Sequence, residues 1–196
     1  MDISVEDDKE SEVSSMDVLD KFYLLLHPRP TYAIGAGKYG EKVNFMAASW
    51  VVPVAEEPPR VAVAIDVESY SHELIKRYGE YTVNILPLDK LRELYFFGST
   101  SGREVDKIGE LGLKVLKGRK VEAPVLEIAV GVLECKVAGE FESEDTTLFI
   151  GDVLHAEARE EYFSLKRGWN FKKTNIPLHN WGRGFYAVGK FLYAGK

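Results

Sequence analysis

Three short stretches of the sequence crowd together side chains that could hold a planar, negatively charged ligand. Residues 44–50 (NFMAASW) set Met46, Ala47, Ala48 and Ser49 between Asn44 and Trp50. Small side chains let a flat ring approach the backbone, whose N–H and C=O groups can then read the edge of a heterocycle. The bland alternative is that Ala-Ala-Ser packs beneath a neighbouring strand. Residues 66–74 (DVESYSHEL) run from an apolar strand through Ser69, Tyr70 and Ser71 into a helix start. Hydroxyls and free N–H groups at a helix N-terminus suit an anion; ordinary capping by Ser71 would explain one of those hydroxyls. Residues 98–107 (GSTSGREVDK) add Ser101, turn glycines and two cations, Arg103 and Lys107. They could grip a phosphate by charge-assisted hydrogen bonds, or form a solvated turn.

Other chemistries find little support. GxSxG, the P-loop, HExxH and CxxC are all absent from the sequence. GAGKYG at 35–40 fits the letters GxGxxG, but a strand follows it where a dinucleotide fold needs a helix. It reads as a hairpin turn. His27, His72, His155 and His179 are too scattered for a metal pattern, so no metal site is expected. Cys135, alone in an apolar stretch, reads as core.

The chain has 196 residues, 45% of them hydrophobic, enough for one compact domain over 16–196 behind a short tail. Six acids against Lys9 give residues 1–15 a charge of −5, out of −6 for the whole sequence. That segment has almost nothing to bury and is expected to be disordered, and Met16 is a candidate for the true start. The body is therefore close to neutral and offers no footprint for nonspecific nucleic-acid binding. No apolar run reaches the roughly 18 residues of a membrane span, and the acidic N-terminus is unlike a signal peptide. A single cysteine points to a cytoplasmic, reducing setting. Glu and Lys are plentiful and Gln is absent, a composition that leans towards thermophily.

Hydrophobic periodicity and turn residues give the elements that must position these stretches. A short helix is expected over 16–26, stopped by Pro28 and Pro30. Strands are expected over 31–36, 44–54, 60–67, 81–86, 124–137 and 147–158, with a charged turn at 140–145 and a last strand at 185–189. Helices are expected over 71–79, 88–97 and 105–111. Gly131 and Gly139 are candidates for bulges or corners. Many strands with few, short helices indicate a mainly β, antiparallel barrel of α+β type.

Taken in order, the motifs resemble a family. NxMxxSWxxPV at 44–54, Pro58-Pro59, Ser69-Tyr70-Ser71, Val83-Asn84 and SGREVDK at 101–107 are similar to the flavin reductase-like proteins, nearest the flavoredoxin and archaeal ferric reductase branch. The match runs from about Arg29 to Gly189. The resemblance implies an FMN-binding split β-barrel, usually a homodimer with one flavin per subunit near the interface. It implies that Asn44, Met46 and Trp50 border the flavin, that the backbone of Ala47, Ala48 and Ser49 lies against its ring, and that Ser69, Tyr70, Ser71, Ser101 and Lys107 meet the phosphate, ribityl chain or flavin face. His155 is similar to a histidine near the flavin, and an aromatic from 181–186 would close the pocket, although WGRGFY departs from the usual spacing. The implied activity is an oxidoreductase that moves electrons from NAD(P)H, a transient co-substrate, through bound FMN to free flavin, ferric iron or a protein. The alternatives are an FMN-bound electron carrier of flavoredoxin type without a nicotinamide site, and a flavin-storing or sensing module. Neither nucleic acid nor membrane is expected as a partner.

Overall fold

The computed structural model describes residues 14–192 and 194; most of the acidic segment expected at 1–15 lies outside the described residues. Seven strands make the main sheet: β1 (Tyr32–Lys38), β2 (Lys42–Ala48), β3 (Val51–Ala55), β4 (Arg60–Asp66), β5 (Glu80–Ile85), β6 (Gly131–Ser143) and β7 (Thr146–Ala158). All pairings are antiparallel, in the order β2-β1-β5-β6-β7-β4-β3. Ser49 and Trp50 alone join β2 to β3, yet those strands are the two opposite edges. At about 4.8 Å per strand, a flat seven-stranded sheet would hold its edges about 29 Å apart. Three Cα steps reach about 11 Å at most. The sheet must therefore curl until its edges approach, and the Ala64 N–H, on β4, donates to the Trp50 carbonyl at 3.0 Å, carrying the β3–β4 ladder into the link. The result is a split β-barrel.

Alternation along each strand then sorts side chains into an inside and an outside. Ile34, Val63, Ile65, Tyr81, Val83, Cys135 and Phe149 fill the interior, and α1 (Tyr70–Tyr78) sends Leu74 and Ile75 in among them as a plug. On the outer face Ala33, Phe45 and Val132 pack beneath α2 (Leu91–Ser99), through Leu94 and Phe97, and beneath Val125 and Leu126. A third helix, α3 (Lys107–Leu111), follows on the same side. Buried polar groups fix the connection between α3 and β6. Thr82 Oγ1 donates to the Pro124 carbonyl at 2.5 Å, Leu126 N–H donates to Asn84 Oδ1 at 2.9 Å, and the Glu134 carboxylate accepts the N–H groups of Arg119, Lys120 and Val121. Among the described residues no helix is long and apolar enough to cross a membrane.

Local readings differ at several points. Gly35 and Gly37 lie within β1 rather than in a turn; the turn is Tyr39, Gly40 and Glu41. Gly35 is there for room, since a Cβ would press on Phe45 Cε1 at 2.8 Å and on Thr82 Oγ1 and the Pro124 carbonyl. The helix expected at 16–26 is a 3-10 segment, Leu19–Leu26, because Lys21 takes a non-helical φ of −134° and splits it. The strand expected over 124–137 is interrupted between Leu126 and Gly131. The charged stretch at 140–143 continues β6, with solvent on its side, so only residues after Ser143 turn. The last strand is Gly184–Tyr186. Gly139 does sit beside a register shift between β6 and β7.

Gly35→Ala is expected to cost about 1–3 kcal/mol by overpacking. Urea unfolding with an unchanged m-value would show it as a lower midpoint.

Candidate functional site

β2 is an edge strand, and three elements gather along it: the N-terminus of α1, the C-terminus of α2 and the start of α3. They enclose a cavity of about 380 Å³ whose lining includes Asn44, Met46, Ala47, Ser71, Ser101 and Lys107. Ser69 and Tyr70 complete the α1 side, and Phe97, Gly98, Ser99, Thr100, Gly102 and Arg103 the other, with Asp66 and Glu68 at the rim.

The α1 side is built for hydrogen-bond donation. Ser69, not Ser71, caps the helix: its Oγ accepts the His72 N–H at 3.2 Å. The cap position falls two residues earlier than the sequence suggests because Tyr70 already has helical geometry. Ser71 is thereby free for another task. It is buried, and its Oγ accepts from Asn44 Nδ2 at 2.8 Å. With its oxygen so engaged, the Ser71 hydroxyl proton is available to an acceptor in the cavity. The first N–H groups of a helix have no partner inside it, and the macrodipole adds positive potential there.

Lys107 lies at the other end. It is 5% exposed, and its Nζ donates to the Phe45 carbonyl at 2.8 Å and the Phe97 carbonyl at 2.9 Å. No carboxylate among the described residues pairs with it. Burial lowers its pKa from 10.5 to about 8. An ammonium has three donors, so one remains unspent. The bond from Lys107 also shows that the Phe45 carbonyl points off the open edge of the sheet. Strand alternation turns the Ala47 N–H and C=O the same way.

Not every residue singled out in the sequence gathers here. Ala48 is buried in the barrel interior. Ser49 and Trp50 form the link to β3, and Trp50 packs at a tilt against Tyr23, with ring centroids 5.9 Å apart and planes at 59°. His155 lies on β7, its Nε2 3.2 Å from Glu157 Oε2, and does not line the cavity. Gly102, one of the turn glycines of the sequence but not among its site residues, is notable. A Cβ there would run into the Asn44 side chain and come within 3.1 Å of Tyr70 Cδ1, so the loop after α2, residues 100–106, can close on the cavity only with glycine at this place. Its signal was present, since Gly98 and Gly102 bracket a run of three hydroxyl residues.

A larger cavity, about 1210 Å³, opens at the barrel end away from α1, lined by apolar side chains such as Val51, Val61, Val83, Leu133 and Trp169. Volume favours it, but convergent donors and an unpaired buried cation favour the smaller one. Among the described residues no group of three or more His, Cys, Asp or Glu could hold a metal ion.

Fold and cavity together define a split β-barrel with an anion-receptive cleft along one open edge. The chain belongs to the family of the flavin reductase like domain, whose model matches residues 24–189. It is 28% identical over 147 residues to a ferric-chelate reductase (NAD(P)H) of Archaeoglobus fulgidus, covering 74% of this chain and 83% of that one. It is also similar to the flavoredoxin of Methanosarcina acetivorans, with 26% identity, a TM-score of 0.82, and 92% and 95% of the two chains covered. An FMN-binding domain of a flavin reductases-like enzyme from Shewanella baltica aligns with 25% identity and a TM-score of 0.75 over 91% and 96% of the chains.

Ser71→Ala leaves the buried Asn44 amide without its acceptor, at a cost of about 1–3 kcal/mol. Calorimetry should show a lower melting temperature for this variant, whereas a solvent-facing serine would leave it unchanged.

Proposed function

We propose that the chain binds FMN along the β2 edge and works as an oxidoreductase, taking electrons from NAD(P)H and passing them to free flavin, ferric iron or a protein. The observation that carries this is Lys107: a buried ammonium without a carboxylate, held on two carbonyls beside a helix N-terminus and several hydroxyls. A phosphate monoester would supply the missing negative charge. Ser71, Ser101, the first turn of α1 and Lys107 would hold the phosphate and ribityl chain. The outward-facing backbone of Ala47, with Asn44 and Met46 beside it, would meet the ring system, which would extend toward Ser49 and Trp50. FMN supplies the hydride and electron chemistry when bound, and the protein supplies position and electrostatics. The Archaeoglobus relative, a ferric-chelate reductase (NAD(P)H), supports NAD(P)H as electron source.

The flavoredoxin likeness favours a second reading, an FMN-bound carrier reduced by another protein. Rapid mixing with NADH or NADPH separates the two. Fast bleaching of the flavin's visible band is the expected result, and no bleaching with either nucleotide leaves the carrier. A purified protein that takes up no FMN overturns both.

The chain is further proposed to pair with a second copy. Leu19–Leu26 (LDKFYLLL) is largely apolar yet has no buried residue, with Leu25 72% exposed. Side chains of that kind are covered in obligate interfaces. Sedimentation should give a dimer, and a monomer for Leu25→Glu combined with Leu26→Glu.

Lys107 also sets a pH dependence. An anion at the site favours the charged form and so raises the lysine pKa again. Above about pH 8, binding must then take up a proton, so affinity for FMN falls as pH rises, with a slope of log affinity approaching −1. Below about pH 7 the lysine is charged in the free protein too and contributes little slope. Lys107→Met is expected to weaken binding by about tenfold or more and to abolish the alkaline slope, as titrations at several pH values would show.

A further inference from the structure

Arg103 is the second cation of the SGREVDK run, and the structure turns it away from the cavity floor. Its Nη1 donates to the Glu68 carbonyl at 2.7 Å and its Nη2 to Glu73 Oε2 at 3.1 Å. Its guanidinium carbon lies 5.4 Å from the centre of the Tyr70 ring. All three partners belong to α1 or the residues just before it, across the cavity from the loop that carries Arg103. The loop itself is seated by Gly102 against Asn44 and by the Arg103 N–H on Ser101 Oγ at 3.3 Å. Arg103 thus ties two walls of the cavity together.

We infer that Arg103 is a positioning residue, a latch that holds the 100–106 loop against the first turn of α1 and sets how long a phosphorylated ligand stays bound. This inference rests on the FMN reading of the same cavity. A planar fork suits the task, because one guanidinium can serve a carbonyl, a carboxylate and a ring face at once. The bond to the Glu68 carbonyl is the strong member of the set. Arg103 and Glu73 are 45% and 54% exposed, so their ion pair adds little alone. A direct phosphate contact is the competing role. It would require the guanidinium to leave Glu73, whose charge opposes an incoming anion.

The two roles predict opposite signs. Stopped-flow displacement of FMN from the full-length protein gives the release rate. With a latch, Arg103→Ala speeds release about tenfold. Arg103→Lys restores little of the loss, because it keeps the charge without the fork. Glu73→Gln speeds release about twofold, since it weakens the latch. With a phosphate contact, Arg103→Lys rescues and Glu73→Gln slows release, and either result overturns the inference. Amide hydrogen exchange of ligand-free protein supplies a readout independent of flavin. Amides over 98–104 should exchange faster in Glu73→Gln and faster still in Arg103→Ala, and unchanged exchange overturns the latch. Failure of the wild-type protein to take up FMN would refute the FMN reading instead, and leaves exchange as the measure of the latch.

Discussion

Two residues between two edge strands constrain almost everything else in the molecule. Because Ser49 and Trp50 must span from one edge of a seven-stranded sheet to the other, the sheet cannot lie flat. Curling gives it an interior, into which α1 sends Leu74 and Ile75. Inserting α1 there brings its N-terminus out beside β2, and the outer face of the same strand receives α2 through Phe45 and Phe97. The cleft is the gap left where these two helices meet one strand edge. Its position follows from the way the barrel is closed.

Electrostatics give that gap its character. Several cations of the described surface have acidic partners, such as Lys76 with Glu140 and Glu142, or Arg60 with Asp152. Lys107 differs in being both buried and without an acid, so its charge is held only by carbonyl dipoles. A site of this kind is costly to maintain in the free protein and gains when an anion arrives. Stability is given up locally for affinity, while the surrounding barrel, with its satisfied Thr82, Asn84 and Glu134, carries the fold.

Much of this was legible in the sequence. Alternation revealed most strands, and the hydroxyl and glycine runs marked the segments that gather at the cleft. Asn44, Ser71, Ser101 and Lys107, drawn from three separate stretches, do line one cavity. What escaped depends on contacts between distant segments. Ser69 and Ser71 are chemically alike, and only the true start of α1 decides which one caps and which is buried. Arg103 and Lys107 share a motif, but Glu68 and Glu73 draw one away while Phe45 and Phe97 hold the other in. His155 sits in a strand whose neighbours are set by the whole sheet order, so its separation from the cavity could not be read locally.

Cys135 bears on the chemical endurance of the barrel. It is fully buried between β5 and β7, and burial pushes its thiol up to about 12. Thiol oxidation proceeds through the thiolate and requires access, and Cys135 offers neither. The one sulfhydryl of the sequence is thus shut away from solvent oxidants, and the barrel has no exposed thiol through which to be cross-linked.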